Sequence, residues 1–416
     1  MYTRGKEFYD IVAKGLASMG YVDKNGVSAL TYFIQDMFAD KYNAESTFAQ
    51  MGFPLNPNLP IRPTYEQIEA TIRPYTMGTY VDIDSDGNTK STDGLSLKMG
   101  GIPTFKHEVV LSRKILREKM MLMDSIGGST PEIENTIMDL LFNGLDDLLG
   151  GNYNTFRYQR HQIVSNFGKL VIDAKNNPGG IPLEIDFGVP AKNKKVSKWY
   201  TKNGSGEVSQ DSKVTSGEVS QDSKVTSGEV DPIKEMRNIR LDSRRKDFAP
   251  EGHWECSLTT YEDLIALPYF RKMYVMYARP DITDADNITA FGALVDDDTI
   301  KTFIESRIGA RIEVVDSISS VEKFNKEKQA MEYTYMDSFN EGVLVYVPDG
   351  AIGDVQCGKP IYMETPGARV ALYDGGRTLI RQVFEDETMT QVIKSEVTGL
   401  AVPNKVRWMY YLTIKG

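Results

Sequence analysis

The longest regular pattern of apolar positions in the chain lies between Ser129 and Gly168. Ser129-Thr130-Pro131-Glu132 combines a hydroxyl residue, an early proline and a nearby acid, which is typical of a helix N-terminus. Apolar residues then recur at threes and fours, namely Ile133, Ile137, Leu140, Leu141, Leu145, Leu148 and Leu149. This spacing predicts one long amphipathic helix. Gly150 and Gly151 interrupt the apolar pattern, so we expect a hinge there.

Upstream, prolines and apolar residues alternate in a segment that cannot form a core of its own. Pro54, Pro57, Pro60 and Pro63 fall at every third position, which favours an extended, polyproline-like path without ladder hydrogen bonds. The apolar residues among them need burial on another surface, of the same chain or of a neighbouring one. We therefore predict inter-subunit contacts at Met51, Phe53, Leu55, Leu59 and Ile61.

Residues 75–106 have the pattern of a long hairpin, with Thr79–Ile83 and Leu95–Met99 as strands around Asp-Gly turns. A two-stranded hairpin is marginally stable alone in water. We expect a partner surface to support it, through contacts at Thr79, Val81, Leu95 and Leu97.

The tip of this hairpin contains a candidate calcium loop. Asp82, Asp84, Asp86 and Asp93 occupy loop positions 1, 3, 5 and 12, from which oxygens can converge on a hard cation. Against this reading, position 12 is the shorter Asp, position 8 is Thr89, and strands rather than helices flank the loop. A hairpin turn that tolerates Asp and Gly is the preferred interpretation.

The second half of the chain begins with a polar tandem repeat. Ser-Gly-Glu-Val-Ser-Gln-Asp-Ser-Lys-Val-Thr fills 205–215 and again 216–226, and a third copy starts at 227–230. Its composition predicts an exposed, flexible or weakly β-like excursion. Beyond it we expect a helix over Asp297–Ile308 and strands over Met273–Tyr277, Arg311–Val315 and Gly342–Val347. The mixture of short helices and strands predicts an α+β fold.

Composition narrows the class of protein. The 416 residues include 48 basic and 58 acidic side chains, a net charge of −10, which disfavours a general nucleic-acid binder. Cys256 and Cys357 are the only cysteines and are far apart, so no disulfide framework is expected and the home compartment is a reducing one. Residues 1–20 show no signal-peptide pattern and no stretch is apolar enough to span a membrane, which predicts a cytosolic protein where it is made.

Catalytic motifs are missing from the sequence, which contains no GxSxG, HExxH, P-loop or Rossmann fingerprint. His107, His161 and His253 lie in separate segments and are interpreted as structural. The acids Asp281, Asp284, Asp286, Asp296, Asp297 and Asp298 are interpreted as a solvated acidic loop, although a carboxylate site of a hydrolase is an alternative without a supporting motif. We expect no enzyme activity and no cofactor.

The order of these parts resembles the major capsid proteins of tailed bacteriophages, specifically the lambda-like protein E group of the Hong Kong 97 capsid fold. Residues 65–106, ending in Pro103–Val109, resemble its extended loop, and 129–168 resemble its spine helix. Gly168 to Ile185-Asp186-Phe187-Gly188 is similar to the strand after that helix. Trp199 followed by Asp231-Pro232-Ile233 resembles the connection into the axial domain, and Val392–Asn404 resembles the closing strands.

The resemblance implies a domain plan and a function. It implies an N-terminal arm at 1–64, an extended loop at 65–106, spine helix and first peripheral part at 107–198, a repeat-bearing insertion at 199–235, an axial domain at 236–388 and closing strands at 389–416. Hexamers and pentamers would form an icosahedral head around double-stranded DNA without sequence-specific binding. Scaffold, portal and decoration proteins would be partners. The location would be the virion, and the host cytoplasm during assembly, with no membrane involved.

Other functions remain open on the sequence. The nearest alternative shares the fold and is an encapsulin-like shell of a cellular nanocompartment, which would enclose a cargo protein. A calcium-dependent surface-binding module would use Asp82–Asp93 and the repeat, but no secretion signal is visible. Some relatives cross-link Lys to Asn between subunits, and Lys90, Lys98 and Asn404 fit that description, but with no positioned acid visible they are interpreted as ordinary surface residues.

Overall fold

A computed structural model describes residues 16–17, 20–23, 29–38, 44–61, 63–70, 95–111, 130–177, 180–202, 208–210, 230–325, 330–360, 370–385 and 390–415. The chain divides into two compact units. The first comprises residues 1–67, 97–157 and 353–402, and the second comprises 68–96, 158–352 and 403–416. Helices and sheets mix in both units, so the α+β class is confirmed.

The helices are α1 (Ala29–Phe38), α2 (Ala44–Gln50), α3 (Thr130–Ser165), α4 (Pro232–Lys246), α5 (Leu258–Ala266), α6 (Pro268–Ala278), α7 (Ala285–Ala293) and α8 (Asp297–Ile308). The strands are β1 (Thr64–Ala70), β2 (Leu95–Gly101), β3 (Thr104–Leu111), β4 (Lys169–Ile172), β5 (Leu183–Asp186), β6 (Lys194–Lys202), β7 (Val208–Gln210), β8 (Gly252–Ser257), β9 (Ile312–Val315), β10 (Ile318–Asn325), β11 (Ala330–Asp337), β12 (Val343–Pro348), β13 (Gly353–Gly358), β14 (Val370–Tyr373), β15 (Thr378–Glu385), β16 (Thr390–Pro403) and β17 (Tyr410–Lys415).

The first unit is built on a five-stranded sheet in the order β13-β16-β15-β14, with β3 also paired to β16. The long strand β16 makes this arrangement, because its first half is antiparallel to both β3 and β15. The apolar faces of α1 and α3 cover it. Phe33, Ile34, Leu145, Leu149 and Ile393 form the centre of this core.

The proline-spaced strap over 51–63 lies along β13 of the same unit and differs from the expectation of a path without ladder bonds. The N–H of Val355 donates to the carbonyl of Pro54 at 3.0 Å, and the N–H of Asn56 donates to the carbonyl of Val355 at 2.9 Å. Leu55 and Val355 form a parallel bridge. The prolines cannot donate, but their carbonyls accept and the residues between them donate, so proline spacing permits an edge pairing.

The second unit contains a mixed six-stranded sheet in the order β7-β6-β17-β12-β8-β9. β12 is antiparallel to both β8 and β17, whereas β17 runs parallel to β6 and β8 runs parallel to β9. Every residue of β12 is buried, as expected for a central strand covered on both faces. Trp199, Trp254, Phe270 and Leu344 lie in the core between this sheet and the helices.

Several predicted elements are confirmed and one is wrong. The long helix runs without a break from Thr130 to Ser165, and α8 begins and ends at the predicted residues. The predicted strand Met273–Tyr277 is instead part of α6. Pro268 fixes the first turn of that helix, and Tyr269 and Phe270 are buried against the sheet. Of the repeat, Val208–Gln210 pairs with β6, and most of the rest lies outside the described residues.

Candidate assembly surfaces

β1 and β2 form a two-stranded sheet that carries exposed apolar side chains. Among the described residues these strands pair only with each other. Ile68 is 52% exposed, and Leu97 and Met99 are each 58% exposed. Close strand packing depends on Gly100, because a Cβ there would lie 2.5 Å from the Cε1 of Tyr65. An isolated pair of strands with apolar residues facing water is a candidate contact surface for another molecule.

The predicted contact residues of the strap differ in how much of each side chain is exposed to solvent. Phe53 is fully buried within the chain, so its side chain serves the first unit itself. Met51, Leu55 and Leu59 are half-buried. Ile61 is 69% exposed and is the most accessible of the five. The inter-subunit role of this group stays a prediction.

The predicted hairpin residues are only partly within the described chain. Leu95 belongs to β2, and Leu97 is one of its exposed apolar residues. The other predicted positions lie outside the described residues, namely Thr79, Val81, Asp82, Asp84, Asp86 and Asp93. The contact role of the first two and the calcium loop formed by the four acids stay predictions.

Gly150 and Gly151, the predicted hinge, lie inside the uninterrupted helix α3. Gly151 faces the ring of His107, since a Cβ there would lie 3.5 Å from Cε1 of that ring. Thr155 Oγ1 donates to the carbonyl of Gly151 at 2.8 Å and lies 3.4 Å from His107 Nε2. Burial lowers the pKa of His107. The histidine is a packing residue of β3, and the hinge role of the glycines stays a prediction.

A buried ion network joins the last turns of α3 to β8 within the second unit. Arg160 donates to both carboxylate oxygens of Glu255, at 2.6 and 2.5 Å. His253 Nε2 lies 3.2 Å from Glu255 Oε1, and its Nδ1 lies 2.8 Å from Asp349. The Glu255 side chain is 1% exposed, so the bidentate arginine offsets the cost of burying its charge.

The titration of this network follows from the same contacts. Burial opposes ionisation of Glu255, but the charge of Arg160 and the bond from His253 outweigh it and lower the pKa of Glu255 to about 2. Burial likewise opposes charging of His253, but the hydrogen bond and charge of Glu255 outweigh that effect. The pKa of His253 is therefore raised, with Asp349 and Glu313 contributing. The network stabilises the fold.

The acidic segment over 281–298 has structural partners. Asp284 and Asp296 are the N-caps of α7 and α8, where they accept from the N–H groups of Asn287 and Thr299. Asp281 pairs with Arg279 at 3.2 Å and Asp297 pairs with Arg271 at 2.6 Å. Within the described ranges no group of histidine, cysteine and acidic side chains is arranged to hold a metal ion.

Sequence reasoning missed Ile68 and Met99 as members of the exposed apolar surface. The signal was present in β2, where Leu95, Leu97 and Met99 alternate with Ser96 and Lys98, but not in β1, where Ile68 is an isolated apolar residue between Gln67 and Glu69. Alternation of this kind predicts one covered face, but does not tell which molecule covers it. In the part of the chain that the structure describes, no helix is both long and apolar enough to cross a bilayer.

Comparisons with other proteins give only distant similarities. No protein-family model matches the sequence, and no curated protein is significantly similar to it. A solved structure described as the "putative capsid protein of prophage (E.coli CFT073)" shares 12% identity, covers 77% of this chain and 79% of its own, and gives a TM-score of 0.42. A phage-related protein from Bordetella bronchiseptica RB50 shares 11% identity over 91% of this chain and 95% of its own, with a TM-score of 0.42.

The capsid of Myoviridae phage XM1 shares 12% identity over 88% of this chain and 91% of its own, with a TM-score of 0.36. These similar structures include capsid proteins of phages and prophages, the class that the sequence resemblance predicts. The lambda-like protein E group within that class stays a prediction. Because the TM-scores are below 0.5, the function proposed for this chain rests on its own surfaces.

Proposed function

We propose that this chain is the major capsid protein of a tailed bacteriophage, with a Hong Kong 97-like fold, and that many copies of it assemble into an icosahedral shell around double-stranded DNA. The observation that carries the proposal is the exposed apolar sheet of β1 and β2. Its Ile68, Leu97 and Met99 face solvent in the single chain. Burying such surface releases about 25 cal/mol per Å².

A shell is the assembly that makes use of such a surface. A contact between different patches on identical chains must close into a ring or cage to avoid open filaments. Each contact can be modest, because a closed shell repeats it many times. The buried pair of Arg160 and Glu255 contributes to the fold of each subunit.

The charge of the chain suits the inner wall of a DNA container. A net charge of −10 opposes tight binding of packaged phosphates. Hexamers and pentamers of this chain, with scaffold, portal and decoration proteins, belong to the proposal. So do its residence in the virion and its assembly in the host cytoplasm.

Expression of the full chain, followed by size-exclusion chromatography and electron microscopy, tests the proposal. We expect closed particles, either alone or with a co-expressed scaffold protein. A chain that stays monomeric at every salt concentration and with the scaffold contradicts the proposal. Particles from the native source should contain double-stranded DNA, whereas an encapsulin-like shell would contain a cargo protein.

A paired substitution tests the surface itself. Leu97→Ser with Met99→Ser removes apolar area without touching a buried core, so folding should be retained and particles should be lost. Ile181→Ser is the matched control, since Ile181 is 85% exposed and lies away from β1 and β2 in sequence. Equal loss of particles in the control would contradict the assignment of this surface.

A further inference from the structure

Charges on helix α4 are segregated by face. Four of its five exposed basic residues, Lys234, Arg237, Arg244 and Arg245, fall within an arc of about 100° at 3.6 residues per turn. The fifth, Lys246, lies on another side with the two half-buried acids of the helix. Glu235 accepts from Ser197 Oγ at 3.0 Å and from Trp199 Nε1 at 2.8 Å.

The acids of α4 have partners within the chain, whereas most of its exposed bases form no ion pair with a described residue. Asp242 pairs with Lys195 at 3.2 Å and with Lys246 at 2.9 Å. Arg244 pairs with Glu251 at 2.8 Å. Lys234, Arg237 and Arg245 form no ion pair with any residue that the structure describes. An acidic chain therefore presents one face that is strongly positive, which we call the basic face of α4.

Apolar side chains lie beside this basic face. Leu241 is exposed on the same stripe as Arg237 and Arg245, and Phe248 is exposed just beyond the end of the helix. Apolar contacts bordered by charges are the usual composition of a protein interface. A site for a nucleic-acid backbone needs no such apolar residues.

The same unit carries a surface of complementary composition. Six acids and no basic residue occur from Asp281 to Ile300, in the loop before α7, in the first turn of α7 and at the start of α8. Asp286 and Asp298 are exposed and form no ion pair with a described residue. Leu294 is 81% exposed and Phe291 is also exposed among these acids. We call this set the acidic end of α7.

The packing of the helices separates the two surfaces. α4 packs against α8, α8 packs against α6, and α6 packs against α7. Within α8, Gly309 at its C-terminal end lies beside Arg240 of α4, whereas Asp298 lies in its first turn. The twelve residues of α8 span about 18 Å at 1.5 Å per residue. α4 and α7, which carries Asp286, therefore lie at opposite ends of the row of helices, and Asp298 lies at the end of α8 remote from Arg240.

We infer that the basic face of α4 binds the acidic end of α7 on a second copy of this chain. In a head-to-tail contact, each copy binds one neighbour through one surface and the other neighbour through a different, complementary surface. Two surfaces of opposite charge at separate places on the chain meet this requirement. Complementary charges set the register of such a contact and speed association. The inference rests on the proposed shell function and assigns one of its contacts to named residues.

A charge-swap experiment on the full chain tests this contact. Arg237→Glu with Arg245→Glu should raise the critical concentration for assembly, measured by light scattering, about tenfold or more, because like charges would face each other. Adding Asp286→Lys and Asp298→Lys to that variant should restore assembly. Neither aspartate is a helix cap, and circular dichroism should show that every variant is folded.

A matched control separates a local contact from the total charge. Glu184→Lys with Glu341→Lys adds the same charge at exposed acids elsewhere in the unit, and it should not restore assembly of the arginine variant. Equal restoration by this control would overturn the inference. Normal assembly of the arginine variant would overturn it as well, and so would normal assembly with reduced retention of DNA, which would assign the basic face to nucleic acid.

A second measurement does not depend on complete shells. Arg237→Cys chains mixed with Asp286→Cys chains should form a disulfide-linked dimer under mild oxidation, whereas either variant alone should not. The native Cys256 and Cys357 are buried and do not compete. Absence of the mixed dimer overturns the contact even where wild-type particles form. Failure of the wild-type chain to assemble at all is a different result and contradicts the proposed function.

Discussion

The six-stranded sheet and the two-stranded sheet of this chain treat apolar residues in opposite ways. Every residue of the central strand β12 is buried, and Leu344 on it is completely inaccessible. On β2, by contrast, Leu97 and Met99 are more than half exposed. The six-stranded sheet, which we call the closed sheet, completes its own core. The two-stranded sheet, which we call the open sheet, leaves apolar area to be covered by another molecule. One chain can thus contain a region built to fold and a region built to assemble.

The difference is already visible in the local sequences. β12 is the nearly continuous apolar run Val-Leu-Val-Tyr-Val-Pro, which suits a strand covered on both faces. β1 and β2 mix apolar residues with Glu, Gln, Lys and Ser, which leaves one face for a partner.

The largest expected effect is at the buried ion pair of the closed sheet. Arg160→Met leaves the Glu255 carboxylate buried without its main partner, and breaking such a pair costs about 3–5 kcal/mol of the free energy of unfolding. Urea denaturation should show this loss. Lys169→Met is the control, because its partners Glu184 and Asp186 are exposed and such pairs contribute about 0–1 kcal/mol. Similar losses in both variants would show that the buried pair contributes no more to the free energy of unfolding than the exposed pair does.

Much of the fold that surrounds this pair was predictable from the sequence. The apolar period of three and four predicted α3, and the helix expected over Asp297–Ile308 is α8. The caps of that helix were not foreseen, since its acids were interpreted as a solvated loop. The prediction of a strand at Met273–Tyr277 is wrong because a short aromatic run fits both the helical and the strand period. Pro268, which precedes the run, favours the first turn of a helix. The contact of Arg160 with Glu255 could not be predicted, because 95 residues separate the partners and no local pattern links them.

The same substitution on each sheet gives the next largest effect. Leu344→Ala opens a cavity in the closed core and should cost about 2–5 kcal/mol of the free energy of unfolding. Leu97→Ala removes an exposed side chain and should change that free energy by less than about 0.5 kcal/mol. Assembly should respond in the reverse order, with folded Leu97→Ala chains forming fewer particles. A large loss of stability in Leu97→Ala would contradict the open character of β2.

The closed sheet should also show a pH dependence that the open sheet lacks. The pKa of His253 is raised, so its stabilising contribution is complete below its ordinary value of about 6.5 and is lost as the pH rises through the folded value. The pKa of Glu255 is lowered, so its contribution is complete above its ordinary value of about 4.3 and is lost as the pH falls toward about 2. Stability should therefore be highest between these two ordinary values.

His253→Gln tests the upper side of that window. The wild-type midpoint of urea unfolding should fall as the pH rises from 6 through 8, and this fall should be smaller in the variant. Glu255, Asp349 and Glu313 face the histidine, and Arg311 pairs with the last two. An unchanged slope in the variant would show that another group titrates.

A small effect on stability, of opposite sign to the losses above, is expected at Gly150 and Gly151 inside helix α3. A Cβ on Gly151 would meet the His107 ring at 3.5 Å, an ordinary contact, so alanine fits without displacing the ring. Glycine inside a helix is less favourable than alanine by about 0.5–1 kcal/mol, so Gly150→Ala with Gly151→Ala should raise the unfolding midpoint slightly. If the two glycines permit α3 to bend when a shell changes curvature, the same variant should form particles but expand more slowly, which time-resolved light scattering measures. A variant that gains the expected stability but expands at the wild-type rate would contradict the hinge hypothesis, because stiffening α3 at these positions would then not affect expansion.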